Sequence, residues 1–368
     1  MKEIVFLCGA RDFHAMDWYR SAKLSSKDFK ISLLTDLIEG EGYKKIVNDE
    51  DIVYKLLILD KLLFRKQSRV GHIWRNILKL LVFPIQLYLL KKFHRNHPDA
   101  VYHAHSMYYL FLADAAGVKY IGTPQGSDIL IKPHNSKLYK YYTIKALKSA
   151  NFVTVDSQAM KDGIFHLSGV EAKIIQNGID LASINEFIKK NKEGTKDIIL
   201  SIRGLSPLYR IKDIISARNS SIFNREKSIT LIYPFYEEIY ADEVRTILKP
   251  NDLDLGRQDR KNMYEILGKT KLMISIPSSD SSPRSVYEAI FCGSAVAINY
   301  NAYYEMLPDC MKARIIIINL ENEKWFDEAV VKAEEISKEK YIPSEKALLD
   351  FDQVKSFLKI EDLVKTLY

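Results

Sequence analysis

A chain of 368 residues is longer than one ordinary core fills, so two domains of about 150–190 residues each are expected. Hydrophobic residues make up 47% and charged residues 27%, a globular balance that excludes long disordered tracts. The net charge is +7, and three widely spaced cysteines, Cys8, Cys292 and Cys310, form no metal-type pair and no disulfide framework, which fits a reducing cytoplasm.

The apolar run at 4–8 is followed at once by charge, too short for a signal peptide and suited to a first strand. Further short β-branched runs at 30–34, 100–103, 120–123, 152–155 and 173–175 alternate with longer amphipathic stretches. That alternation predicts parallel sheets with crossover helices. A polar stretch at 189–196 reads as a linker, after which strands are expected at 198–202, 229–232, 272–276, 295–298 and 314–318. The expected organisation is an N-terminal Rossmann-like domain over 1–190, a second over 191–350, and a C-terminal helix over 351–368 that packs back on the first.

Between residues 61 and 96 there are nine basic residues, Lys61, Arg65, Lys66, Arg69, Arg75, Lys79, Lys91, Lys92 and Arg95, and no acidic one. Lys79, Pro84 and Gln86 interrupt the apolar run inside this stretch, so no transmembrane helix is expected. Docking on an anionic membrane surface and a core-facing helix with a solvated basic back both remain open. No nucleic-acid recognition motif is present, and no nucleic-acid partner is expected.

Open parallel sheets bind ligands where loops and helix starts converge at the carboxyl ends of their strands. The loops expected there carry Arg11 and His14, His103 and His105, Gly126, Ser127 and Asp128, Arg203 and Gly204, and Pro277 to Pro283. The sharpest segment is PSSDSSPRSVYEAIFCGSAVAI at 277–298. A Ser-rich loop, a helix opened by Pro283 and closed by Gly293, and a following strand suit a diphosphate held at a positive helix end. Arg284 in the first turn opposes that dipole, which a nearby anion explains. Glu288 one turn on, and Asp280 on the loop, are carboxylates of the kind that accept hydrogen bonds from sugar hydroxyls.

This segment resembles the family-four retaining glycosyltransferases of the GT-B fold, whose pattern is an acidic residue, seven intervening residues, then Glu-Ala-x-x-x-Gly. Asp280, Pro283, Ser285, Glu288, Ala289, Gly293 and Val296 fall at matching positions, with Asp280 where the family usually has Glu. IILSIRGL at 198–205, IIQNGIDL at 174–181, VTVDS at 153–157, YHAH at 102–105 and Gly126-Ser127-Asp128 agree in order and spacing. The family's Gly-Gly-x-Glu loop after the first strand is absent, which points to a divergent acceptor side.

The resemblance implies two facing Rossmann-like domains with a cleft between them. It also implies sugar transfer, with retention, from a nucleotide-sugar to a glycan or lipid-linked acceptor. It assigns Arg203, Arg210 or Lys212, with Ser282, Arg284 and Ser285, to the donor diphosphate, Glu288 to the ribose and Asp280 to the donor sugar. Asp280, Glu288 and His105 are the expected catalytic residues, and Arg11, His14, Gly126, Ser127 and Asp128 the acceptor or donor-sugar loops. No DxD-type acidic pair stands in these loops, so no metal and no cofactor is expected beyond the nucleotide-sugar substrate. Composition suggests bacterial surface polysaccharide or glycoconjugate synthesis at the inner face of the membrane. A GT-B-fold sugar-nucleotide epimerase and a non-catalytic sugar-nucleotide-binding protein remain alternatives.

Overall fold

The structure, a computed structural model, describes residues 2–11, 13–63, 69–190, 196–280 and 282–368. Arg65, Lys66, Ser281 and most of the expected 189–196 linker lie outside the described residues. The chain forms two units, Met1–Asn177 with Gln353–Tyr368, and Gly178–Asp352.

In the N-terminal unit, β1 (Glu3–Leu7), β2 (Lys30–Thr35), β3 (Ile52–Lys55), β4 (Val101–His105), β5 (Tyr120–Thr123), β6 (Phe152–Val155) and β7 (Lys173–Ile174) form one parallel sheet. Their order is β3-β2-β1-β4-β5-β6-β7. In the second unit, β8 (Ile198–Ile202), β9 (Ile229–Ile232), β10 (Leu253–Asp254), β11 (Thr270–Ser275), β12 (Ala295–Asn299) and β13 (Ile315–Ile318) are parallel in the order β10-β9-β8-β11-β12-β13. Every residue of β1 is buried, as expected for a central parallel strand covered by helices on both faces. The strand order reverses beside β1 in the first sheet and beside β8 in the second, and such reversals open a crevice at the carboxyl ends.

Two strands were not expected, β3 and β10, and both are sheet edges. β3 is only half-buried along IVY and β10 is two exposed residues, so neither carries the continuous apolar run that marks a central strand. The first boundary falls at Asn177/Gly178 rather than at 190/191. The amphipathic helix after it belongs to the second unit, because Leu181 and Ile184 enter that unit's core beside Tyr264 and Leu267. The last helix, Gln353–Lys365, buries Phe357, Ile360 and Val364 among Phe6, Ala15 and Tyr19 of the N-terminal unit.

The Arg69–Asn96 helix runs unbroken for 28 residues with Pro84 inside it. Its Ile73–Asn96 part is long and apolar enough, by length and composition, to cross a membrane, with a window of mean hydropathy 1.3. Lys79, Pro84 and Gln86, which interrupt the apolar run in sequence, lie inside the helix without breaking it. Leu78, Val82, Gln86 and Leu90, spaced four apart, are nonetheless buried on the unit, and the Gln86 amide donates to Asp36 Oδ2 at 3.1 Å and to the Leu57 carbonyl at 3.2 Å. One face of the helix is therefore tied to the protein.

Candidate functional site

At the carboxyl edge of the second sheet, Arg203 follows β8 and β11 leads into the loop that carries Asp280. The Arg203 guanidinium donates to the Asp280 carboxylate and, at 3.1 Å, to Ser285 Oγ. It also lies 4.7 Å from the Tyr209 ring centroid, a cation–π distance. Its Nε is buried with no hydrogen-bond partner. Three expected donor residues, Arg203, Asp280 and Ser285, are thus brought together.

Arg284–Phe291 is a helix of eight residues, and it stops where Gly293 turns to φ +80°. Only glycine takes that conformation without strain. Glu288 sits on the inner side of the helix, 8% exposed, and the Tyr264 hydroxyl reaches its Oε1 at 3.5 Å. Burial and the Glu288 carboxylate together push the Cys292 thiol up to about 12, so this cysteine stays protonated and unreactive. Ser282 approaches the Tyr287 hydroxyl at 3.5 Å.

Lys212 and Arg210, both expected at the diphosphate, differ in setting. Lys212 directs its ammonium to Glu243 at 2.7 Å. Arg210 adopts a left-handed conformation, φ 52°, at the start of the Ile211–Ser220 helix, a strain of the sort found at ligand-binding turns. Sequence reasoning missed Tyr209 and Phe235. A Cβ on Gly204 would come within 2.5 Å of the Phe235 ring, so the aromatic closes over the loop only because residue 204 is glycine. The signal was legible in the PFYEE stretch after β9. Tyr303 is 3% exposed and stands edge-on to Tyr287 at 6.3 Å, a packing role.

The N-terminal unit holds a cavity of about 830 Å³ at the carboxyl ends of β1, β4 and β5, reached by Gly9, His105, Ser106 and Gln125. Its walls are largely apolar and aromatic, with Leu80, Phe83, Phe111, Leu138 and Tyr142. His105 is 4% exposed, neither ring nitrogen has a hydrogen-bond partner among the described residues, and its ring stacks on His14 at 5.9 Å. Burial, with His14 and His103 nearby, pushes its pKa well down, so the imidazole is neutral. His103 is fixed instead by Thr123 Oγ1 at 2.8 Å, and burial lowers it to about 4.

A buried polar network stands behind this cavity. The Asp36 carboxylate accepts from the Tyr109 hydroxyl and from Gln86, and Lys79 lies 3.4 Å from it. Burial lowers the Lys79 pKa while Asp36 opposes the shift. A Cβ on Gly9 would fall 2.6 Å from the Tyr109 oxygen, so glycine is required there by close packing. None of this was read from sequence, because its members are far apart in the chain.

Asp128 lines the cavity and also braces it. Its Oδ2 accepts from the Met107 and Gln125 backbone N–H groups at 3.1 and 3.2 Å, and its Oδ1 from Lys132 and the Tyr139 hydroxyl at 2.6 and 3.2 Å. With Gln125 it forms a reciprocal capping box at the start of the Gly126–Leu130 helix. Arg11, His14, Gly126 and Ser127 do not line the cavity. The Arg11 carbonyl instead accepts from Gly42 at 3.4 Å, and the His14 carbonyl from Asn177 at 3.2 Å.

Residues 58–183 match the model of Glycosyltransferase Family 4. Among solved structures, Anabaena HepE in complex with UDP-glucose is similar at a TM-score of 0.68 and 15% identity, covering 100% of both chains. Sucrose-phosphate synthase from Thermosynechococcus elongatus is similar at 0.69 and 11% identity, over 100% of this chain and 99% of that one. The N-terminal domain of Candida albicans trehalose-6-phosphate phosphatase is similar at 0.69 and 12% identity, over 99% and 96%. At these identities the likeness establishes the fold. No curated protein matches the sequence.

Proposed function

We propose that the chain, of the GT-B fold and with a segment that matches the model of Glycosyltransferase Family 4, is a glycosyltransferase whose second unit binds a nucleotide-sugar, the glycosyl group of which passes, with retention, to an acceptor held by the N-terminal unit. The observation that carries this reading is Arg203, joined to Asp280 and Ser285 where the strand order reverses beside β8. A diphosphate placed there meets the guanidinium and the N-terminal end of the Arg284–Phe291 helix, whose partial positive charge favours anions. As the bond to the anomeric carbon breaks, negative charge grows on the diphosphate. Fixed positive groups at that point lower the barrier, by about 3–4 kcal/mol for one well-placed donor. Those groups serve the leaving diphosphate in place of a metal ion, so transfer is expected to survive EDTA.

Glu288 receives the ribose hydroxyls and Asp280 the donor sugar. HepE, solved with UDP and with UDP-glucose, supports a nucleotide-sugar as the donor class. The setting we infer is surface polysaccharide or glycoconjugate synthesis on the cytoplasmic face of a membrane, with the basic 61–96 stretch facing anionic lipid. Thermal shift against uridine, guanosine and adenosine diphosphates tests the donor reading. A ligand at one hundred times its dissociation constant stabilises by about 2.7 kcal/mol, and no shift with any of them would refute it.

A further inference from the structure

We propose that the acceptor is an amphiphile, a glycosyl head on a hydrocarbon chain. The head enters the N-terminal cavity while the chain runs out between the Arg69–Asn96 and Lys137–Ser149 helices; this rests on the transferase reading above. The first observation is an apolar face left exposed among the described residues. Ile73, Ile77, Leu81, Ile85 and Tyr88 are 54%, 46%, 66%, 52% and 61% exposed, and their spacing puts them on one side of the Arg69–Asn96 helix. The side packed on the protein is a different one, that of Leu78, Val82, Gln86 and Leu90.

A surface helix ordinarily turns polar residues outward, so an apolar stripe about 22 Å long indicates an apolar surrounding. Lys91, Lys92 and Arg95 are exposed at its end, and no acidic residue occurs between 61 and 96. Apolar residues flanked by cations match the acyl and headgroup boundary of an anionic leaflet.

The second observation is that this face runs into the cavity. Leu80, 75% exposed, also lines the cavity beside Phe83, and the opposite wall ends in Leu138 and Tyr142, 68% and 48% exposed. The apolar part of these walls, set among Arg75, Asn76, Lys132, Asn135 and Ser136, suits a hydrocarbon chain. At the inner end the chemistry changes: His105, buried and without a hydrogen-bond partner at either nitrogen among the described residues, lines the cavity with Ser106 and Gln125. A neutral imidazole offers one donor and one acceptor, which fits a sugar hydroxyl.

The test uses the full chain with n-dodecyl β-maltoside below its micelle concentration, maltose, and vesicles of phosphatidylglycerol and phosphatidylcholine. Calorimetry should find dodecyl maltoside bound at least about tenfold tighter than maltose, since burying only two methylenes supplies that much. Leu138→Ser with Tyr142→Ser, both on exposed sites, should abolish the difference. Ile77→Ser with Leu81→Ser and Ile85→Ser should abolish sedimentation with the vesicles. Equal affinities for the two sugars, an undiminished difference in the double variant, or vesicle binding that is absent in the wild type or unchanged in the triple variant would each overturn the proposal. If uridine, guanosine or adenosine diphosphate still stabilises the protein in that event, the transferase reading stands and only the amphiphile is lost. Should no diphosphate stabilise it, the transferase reading fails first.

Discussion

The two units place their polar residues differently at the corresponding edge of the sheet. In the second unit Arg203, Asp280 and Ser285 bond to one another at the reversal of strand order, so functional groups are held by functional groups. In the N-terminal unit the charged residues bond to the scaffold: Asp128 holds three segments together, Asp36 ties Tyr109 and Gln86, and the space left over is mostly apolar. A diphosphate is common to all nucleotide-sugars and needs charge in place before it arrives. An acceptor differs from enzyme to enzyme, and a braced cavity with replaceable walls accommodates that.

The largest effect that could break this comparison is on stability. Asp128→Ala should destabilise the N-terminal unit by about 3–4 kcal/mol, because two backbone N–H groups and a tyrosine hydroxyl lose their acceptor in a buried place. The exposed Lys132 adds little to that figure. Urea unfolding checks it, and a loss below about 1 kcal/mol would show that Asp128 is not a brace.

On the donor side, Arg203→Ala should cut turnover about 10²–10³-fold while the fold survives. Asp280→Asn sharpens the assignment. Its carboxylate is paired with Arg203 in the absence of ligand, so removing that charge should leave nucleoside diphosphate affinity unchanged or slightly tighter and lower turnover alone. Glu288→Gln should weaken the diphosphate itself, by about 1.5–3 kcal/mol. Calorimetry on the three variants is decisive, and a diphosphate lost in Asp280→Asn but kept in Glu288→Gln would reverse the two roles.

The comparison also predicts a response to acid. All eight histidines precede residue 177, hence all lie in the N-terminal unit. Burial holds His103 at about 4 against an ordinary 6.5, and His105 is shifted the same way. The unfolded chain therefore takes up protons at a pH where the folded one does not. The stability from neutral His103 is complete above pH 6.5 and is lost as pH falls toward 4, about 3 kcal/mol in all. Hydrogen exchange at pH 5 should open β1, β4 and β5 before β8 and β11, and equal protection of both sheets would contradict this.

Central strands were legible because parallel strands covered on both faces read as unbroken apolar runs, and β5, β6, β8 and β9 begin and end where expected. The donor loop was legible for a local reason: Asp280, Ser285 and Glu288 lie within one stretch of chain. Edges β3 and β10 lacked the apolar run, and the cavity's network joins Gly9, Asp36, Lys79, Gln86 and Tyr109 across distant segments. No spacing rule along the chain reports such a meeting.

The smallest expected effect concerns Lys212, which sequence placed on the diphosphate and the fold places on Glu243. Both side chains are about half exposed, at 40% and 48%, and an ion pair in that setting contributes about 0.2–1 kcal/mol. Lys212→Ala should therefore leave nucleoside diphosphate affinity within about twofold, a difference of about 0.4 kcal/mol. Arg210→Ala should weaken it more, because its left-handed backbone stands at the turn beside Tyr209, against which Arg203 stacks. The two variants compared at low and at high salt separate the cases. A tenfold loss in Lys212→Ala that shrinks with salt would mean that the ammonium leaves Glu243 for the ligand, and the donor side would then share with the acceptor side a charge that must first be released from its own scaffold.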